Sequence, residues 1–408
     1  MVARTAPLLP SLTHGSLQPR ARDLAKPGVA SATRETGRSA TALVYSENEF
    51  GKIDGKVANG LVRHSDRYDI VGIVDSATAG QDAGELLDGV ANGIPIFEST
   101  ADAIGKLSHV PEYFVYGIAP LAPFLDQEQR QTIFDAMKLG MNIVNGLPEF
   151  LTDDPEFMQM AREYRVRIAD FRKPPPRAGL HIFSGRIYAV KTPVITVFGT
   201  DCAVGKRTTA VKLVEALRRE GLNAVFIATG QTGLLQGSKY GVAVDVLSSG
   251  FAAGEVENAI ANADEQEHPD IIVVEGQGAL SHPAFTSSSS IIKGATPDAI
   301  IIQHPPKRSA HCDFPDIPMP TLASEIELIE VVSRSKVIAI TISHEDMSDA
   351  EVDRTITDYE RRYGLPTTDV LKHGCHKLVA KLLDVFPELR GREPMAVRGA
   401  ASQLHESG

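Results

Sequence analysis

A glycine-rich loop between a strand and a helix constrains the fold of this chain more than any other feature. Thr192–Phe198 is an apolar run typical of a buried strand, residues 199–209 read Gly-Thr-Asp-Cys-Ala-Val-Gly-Lys-Arg-Thr-Thr, and Thr208–Arg219 is predicted to be an amphipathic helix. Strand, loop and helix in this order are the context of a phosphate-binding P-loop. Backbone N–H groups at the helix N-terminus attract an anion, and Lys206 adds a positive charge.

Two features of the loop depart from the P-loop motif. Five residues rather than four separate Gly199 from Gly205, and Arg207 stands where the motif places the Ser or Thr that binds magnesium. Thr208 and Thr209 are candidates for that role, but each is rotated by roughly 100° or more further round the helix. The sequence therefore predicts a phosphate site without a clear magnesium ligand. The candidate phosphate-binding residues are Gly199, Thr200, Asp201, Cys202, Ala203, Val204, Gly205, Lys206, Arg207, Thr208 and Thr209.

Four more apolar runs in this half of the chain each end in polar residues. The runs are 223–229, 270–275, 298–303 and 336–341. The carboxyl ends of parallel strands lie at one edge of a sheet, so the polar residues after them are expected to converge near the loop. The side chains expected at this edge are Lys206, Gln231, Thr232, Glu275, Gln277, His304 and Arg308.

The first half of the chain also alternates between strands and helices. The run at 42–45 is followed by a glycine-bearing loop, a helix from Lys56 and a second strand that ends at Asp75. This is the opening of a Rossmann-like unit, in which such an acid can hold a ribose hydroxyl. No Gly-x-Gly-x-x-Gly motif is present, and an Asp in this position also serves as a turn or cap residue. Further strands are predicted at 113–120 and 141–146, with a helix over 126–139 between them.

Three successive prolines, Pro174–Pro176, mark the boundary between two domains, because they stop regular structure and stiffen a linker. We predict an α/β protein with a Rossmann-like domain at 41–172 and a P-loop, parallel-sheet domain at 173–390. Residues 1–40 contain six Lys or Arg against two acids, and 22 of them are Ala, Gly, Pro, Ser or Thr. Such a segment is predicted to be a disordered leader, with an organelle transit peptide as the alternative. Residues 391–408 are predicted to be a flexible tail.

Composition excludes several classes of protein. With 41 Lys and Arg against 52 Asp and Glu, the chain is acidic and has no basic stripe, which argues against a nucleic-acid partner. No apolar run approaches the ~20 residues of a membrane span. Three cysteines cannot build a disulfide framework and fit a reducing compartment, so we expect a cytoplasmic protein. We also expect a homo-oligomer.

The motifs together resemble known families. The loop 199–206 with Glu275-Gly-Gln-Gly278 is similar to the phosphate loop and acidic strand end of dethiobiotin synthetase. In combination with 228–233, 142–146 and the linker at 170–174, it more closely resembles a bacterial two-domain family, long a domain of unknown function, whose characterised members are D-glutamate N-acetyltransferases. The resemblance covers about residues 42 to 385.

The resemblance implies that the loop holds the phosphates of acetyl-CoA, the co-substrate, and that the acceptor is a small molecule, a free amino acid. Acetyl transfer needs a base for the substrate ammonium, donors for the thioester oxyanion and cations for the carboxylates of glutamate, but no metal. The candidate bases are Glu275 and His304, and the candidate oxyanion donors are Gln231 and backbone N–H groups near Gly276. The candidate substrate-binding residues are Thr232, Gln277, Arg308, Arg172 and Lys173.

Two other classes of function remain open at this point. An ATP-dependent ligase or carboxylase of the dethiobiotin synthetase type would use the same loop with ATP and magnesium, the metal held by Thr208 and by Asp201 or Glu275. A nucleotide-binding module without catalysis would leave Glu275 and His304 without a chemical role.

Overall fold

A computed structural model describes residues 39–120 and 124–391. The predicted leader lies outside the described residues except for its last two, and the predicted tail lies outside them except for its first. Within the described part, the chain forms two parallel sheets and a small antiparallel hairpin.

The first sheet has the strand order of a Rossmann fold. Its order is β3-β2-β1-β4-β5-β6, with all neighbours parallel. The strands are β1 (Ala40–Tyr45), β2 (Tyr68–Val74), β3 (Ile96–Phe97), β4 (Tyr113–Tyr116), β5 (Asn142–Asn145) and β6 (Ile168–Asp170). The helices are α1 (Lys56–Arg63), α2 (Ala83–Asp88), α3 (Thr100–Lys106), α4 (Gln127–Lys138) and α5 (Pro155–Tyr164). The switch in strand order falls at β1, between β2 and β4.

The second sheet has β7 at its centre, in the order β15-β14-β11-β7-β10-β8-β9. Its strands are β7 (Val194–Gly199), β8 (Ala224–Ala228), β9 (Tyr240–Gly241), β10 (Ile271–Glu275), β11 (Ala299–His304), β14 (Lys336–Ile342) and β15 (Thr367–Thr368), and β12 (Ala310–His311) and β13 (Phe314–Pro318) form the hairpin. The helices are α6 (Lys206–Arg219), α7 (Gln231–Gln236), α8 (Ser249–Glu267), α9 (Ser287–Ala295), α10 (Leu322–Ser333), α11 (Asp349–Tyr363) and α12 (His376–Val385). The central strands are buried throughout, as expected for apolar runs covered by helices on both faces.

Asp75 serves as a turn residue. It is buried, its carboxylate accepts hydrogen bonds from the backbone N–H of Asn48 at 2.8 Å and from the hydroxyl of Thr78, and it caps the short turn Ser76–Thr78. Both carboxylate oxygens are therefore engaged by the domain itself, and a ribose has to compete with these contacts.

The two domains meet where α1 packs against α7. The side-chain amide of Gln236 donates hydrogen bonds to the carbonyl oxygens of Gly60 (2.7 Å) and His64 (2.9 Å), at the last turn of α1. The ring of His64 reaches Glu215 on α6 at 3.2 Å and Asp66 at 3.4 Å. Because these contacts tie α1 to two elements of the P-loop domain, they fix how one domain faces the other.

The His64 contacts predict a pH-dependent stability. Hydrogen bonds that the ring donates to the carboxylates of Asp66 and, with a smaller effect, Glu215 raise the pKa of His64 from 6.5 to about 9. The stabilisation is therefore complete below pH 6.5 and is lost as the pH rises through 9. With 26% of the His64 side chain exposed, we expect a loss of about 1 kcal/mol in the free energy of unfolding.

Chemical denaturation of the wild type and of His64→Gln across this pH range measures the effect. The control is His109→Gln, since the ring of His109 bonds only locally, to Ser108 on the surface. An identical pH dependence in the wild type and His64→Gln would contradict the prediction.

Candidate active site

The predicted strand, loop and helix are confirmed. β7 ends at Gly199, and α6 begins at Lys206, two residues earlier than expected. Ala203 (φ 51°) and Gly205 (φ 101°) adopt left-handed conformations, which turn the chain sharply into the helix. A Cβ on Gly199 would lie 2.9 Å from the carbonyl oxygen of Gln303, so this glycine lets β11 approach the loop.

The buried carboxylate of Asp201 holds the loop in place. One oxygen lies 2.7 Å from Nδ1 of His311, and the other accepts hydrogen bonds from Arg308 and from the backbone N–H of Cys312, both at 2.9 Å. Burial raises the pKa of this carboxyl, but the bonds from His311, Cys312 and Arg308 outweigh burial and hold the pKa below its usual range. Asp201 is thus an ionised anchor with both oxygens engaged.

A cavity of about 1140 Å³ lies between the domains. Its walls come from the segments that follow β1, β4 and β5 in the first sheet and β7, β8, β10 and β14 in the second. The carboxyl ends of both sheets therefore open onto the same space, which exceeds the usual ligand pocket of about 300–1,000 Å³.

Six of the seven residues expected at the sheet edge line this cavity. They are Lys206, Gln231, Thr232, Glu275, Gln277 and Arg308. The buried ammonium of Lys206 donates a hydrogen bond to the carbonyl oxygen of Asp201, and burial lowers its pKa. The amide of Gln277 is held by the hydroxyl of Thr229 at 2.9 Å.

Glu275 combines burial with a free oxygen. Its Oε2 accepts hydrogen bonds from the backbone N–H groups of Thr229 (3.0 Å) and Gly230 (3.3 Å), whereas no described residue donates to Oε1. Burial raises the pKa of this carboxyl, and the nearby charges of Arg207 and Lys206 oppose the rise. A cavity-lining acid with a raised pKa and an open oxygen is suited to accept a proton.

His304 does not line the cavity. It is buried behind the loop, where its Nδ1 lies 2.8 Å from the hydroxyl of Thr200, and burial lowers its pKa to about 4. This placement argues against the prediction that it is a base. The backbone N–H of Gly276 is committed to the carbonyl oxygen of Val197 at 3.0 Å, so Gln231 and the backbone N–H groups that follow Gly276 remain the oxyanion candidates.

Three predicted carboxylate ligands are already paired within the protein, which corrects their assignment. Arg308 is bound to Asp201 and Glu345, and Arg172 to Asp245. Lys173 lies outside the cavity and contacts Asp153. Each cation is therefore neutralised by a carboxylate of the chain itself.

Arg207 behaves differently. Its guanidinium lines the cavity, and no carboxylate of residues 39–120 or 124–391 lies within ion-pair distance of it. Burial lowers its pKa to about 10, so it remains protonated at neutral pH. Thr209 donates its hydroxyl to Gln303 at 2.6 Å, and both Thr208 and Thr209 line the cavity.

Asp201, His282 and His311 place possible metal-ligand atoms within 4.8 Å of one another. Nδ1 of His282, however, accepts the backbone N–H of Ala284 at 3.2 Å, and burial lowers the pKa of this ring. The neutral ring therefore carries its proton on Nε2, which lies 3.7 Å from Asp201 and has no hydrogen-bond partner among the described residues. Because Nδ1 of His282 and both oxygens of Asp201 are already bonded, a metal would have to displace these contacts.

Sequence reasoning missed the contribution of the first domain to this site. Lys56 and Asn59 of α1 line the cavity, and Gly60 lies against Arg207. Gly60, a glycine inside an otherwise regular helix, could have indicated this contact, because such a glycine often marks a place where another part of the protein packs closely against the helix.

The fold and the cavity define a two-domain α/β protein in which a P-loop domain faces a Rossmann-like domain. Residues 181–379 match a P-loop domain, and residues 76–174 a Rossmann-like domain, both described as domains of unknown function, DUF1611. The chain belongs to this family, and the predicted family and fold class are confirmed.

Two curated relatives bear the name D-glutamate N-acetyltransferase. The protein from a Pseudoalteromonas species is 33% identical over 276 residues, which cover 66% of this chain and 80% of that protein. The protein from Tritonibacter scottomollicae is 30% identical over 281 residues, which cover 66% and 81%. A crystal structure of a DUF1611 family protein from Anabaena variabilis is 29% identical and covers 85% of this chain and 100% of its own, with a TM-score of 0.77.

Among the described residues, no helix combines the length and apolar character needed to cross a membrane.

Proposed function

We propose that this protein is an N-acetyltransferase that transfers the acetyl group of acetyl-CoA to the amino group of D-glutamate or a similar amino acid, in D-amino-acid catabolism. The names of the two relatives support this activity. The phosphate loop supplies the anion site that coenzyme A needs, and the cavity between the domains offers room for both substrates.

One observation favours acetyl transfer over a phosphoryl-transfer reaction. Arg207 occupies the position in the loop sequence where a P-loop enzyme has its magnesium ligand, and its charge acts on the acid Glu275. Asp201, a candidate metal ligand for an ATP-dependent ligase, has both oxygens engaged. The loop is therefore suited to hold phosphates without transferring them.

The reaction needs a proton acceptor next to the thioester. In the proposed mechanism, Glu275 takes a proton from the substrate ammonium through Oε1, and the free amine attacks the acetyl carbonyl. The N–C bond forms, the C–S bond breaks, and the departing coenzyme A thiolate takes up the proton that the acylated nitrogen loses. The side-chain amide of Gln231, which lines the cavity, stabilises the oxyanion.

An assay with acetyl-CoA and D-glutamate, with and without ATP and magnesium, tests the proposal. We expect N-acetyl-D-glutamate and free coenzyme A at the same rate when ATP and magnesium are omitted. Product that forms only with ATP and magnesium would favour the ligase or carboxylase reaction instead.

Lys206→Ala is expected to weaken acetyl-CoA binding at least tenfold. The substitution removes the ammonium at the loop, and a charge-assisted phosphate contact is worth roughly 1.5–3 kcal/mol. Calorimetric titration measures the affinity, and Lys212→Ala, further along α6 and paired with Glu215, is the matched control. An unchanged dissociation constant would contradict the assigned role of Lys206.

Glu275→Gln is expected to lower kcat by about 100-fold or more, because it removes a proton acceptor worth on the order of 10²–10⁴ in rate. The affinity for acetyl-CoA should stay within a few fold, since the amide preserves the shape of the side chain. Steady-state kinetics and circular dichroism measure the rate and the fold. A folded variant with near-normal kcat would exclude Glu275 as the base.

A further inference from the structure

The unpaired Arg207 guanidinium requires an explanation. Buried charges in proteins are normally paired, because an unpaired one loses its hydration without compensation. Arg308 and Arg172, which line the same cavity, follow this rule, whereas the partly buried Arg207 has no carboxylate partner among the described residues. Its counter-ion is therefore expected to come from a ligand.

The guanidinium points toward the Rossmann-like domain. An ideal Cβ on Gly60 would lie 2.6 and 2.7 Å from the two terminal nitrogens of Arg207, and 2.8 Å from the methyl group of Thr232. Gly60 thus makes the space that the guanidinium occupies, and this end of the side chain lies against α1 of the facing domain.

A second cation lies on the same side of the cavity. Lys56 is four residues before Gly60 in α1, so the two lie on one face of the helix. Lys56 is exposed, lines the cavity and acts electrostatically on the Cys202 thiol of the phosphate loop. It forms no ion pair within the described part of the chain, whereas the nearby Lys52 is bonded to the carbonyl oxygen of Asn48.

We propose that Arg207 and Lys56 form a two-cation receptor for a dicarboxylic amino acid, with Arg207 binding the α-carboxylate and Lys56 the side-chain carboxylate. The inference rests on the proposed acetyl transfer. The assignment follows from Glu275: the base must face the α-amino group, one carbon away from the α-carboxylate, and Arg207 is the cation whose charge acts most strongly on Glu275. Lys56 then selects a substrate with a second carboxylate.

Steady-state kinetics of variants tests the receptor. Arg207→Gln should raise KM for D-glutamate at least about tenfold while KM for acetyl-CoA stays within about threefold. Gly60→Ala should also raise KM for D-glutamate, because the added methyl group displaces the Arg207 guanidinium. The substitution should not disrupt α1, since alanine has a higher helix propensity than glycine. Because Gly60→Ala keeps the Arg207 charge and the sequence of the phosphate loop, it tests the receptor even if Arg207→Gln does not fold.

Lys56→Gln should lower the preference for D-glutamate over D-glutamine, measured as the ratio of kcat/KM values, at least about tenfold. Lys293→Gln, which changes an exposed lysine of α9 outside the cavity lining, is the matched control and should leave this ratio unchanged. An unchanged ratio in Lys56→Gln, or a raised KM for acetyl-CoA with an unchanged KM for D-glutamate in Arg207→Gln, would overturn the receptor. A wild type that acetylates no amino acid would instead overturn the proposed function, and the inference with it.

Discussion

The buried carboxylate of Asp201 links two segments that are distant in the sequence. It holds Arg308, which follows β11, and His311 and Cys312 at the β12–β13 hairpin, against the loop after β7. Leaving such a charge without partners inside a protein is strongly destabilising, so all three contacts are needed to keep the ionised carboxylate buried. The position of Lys206, the first residue of α6, also depends on Asp201, because the Lys206 ammonium is bonded to the backbone carbonyl oxygen of Asp201.

The electrostatics of the site follow from one substitution in the P-loop pattern. A Ser or Thr after the lysine would present a hydroxyl to magnesium, whereas Arg207 presents a fixed single charge on a long side chain. The charges of Arg207 and Lys206 and two backbone hydrogen bonds lower the pKa of the Glu275 carboxyl, so burial acts against four opposing influences. Burial outweighs them and keeps this pKa above its usual range, which suits a proton acceptor.

Local pattern was enough to predict the P-loop, the longer strands of both parallel sheets and the edge that Glu275 and Gln231 share, because strand direction and the hand of βαβ crossovers fix that edge. It did not predict the short strands β3, β6, β9 and β15 or the β12–β13 hairpin. It could not predict which cations are free. The partners of Arg308 lie 37 and 107 residues away, and that of Arg172 lies 73 residues away. These pairings depend on tertiary packing, so a sequence gives no means to separate them from the unpaired Arg207.

The Rossmann-like domain contributes to the site through the way it packs against the P-loop domain, and this packing depends on residues of both domains. Its switch point opens on the cavity, because residues that follow β1 and β4 line it, whereas Asp75 is engaged by its own turn. Gln236 binds the end of α1 and belongs to the helix that begins with Gln231 at the cavity. A shift of α1 would therefore move Gly60 relative to Arg207 and change the site and the interface at once.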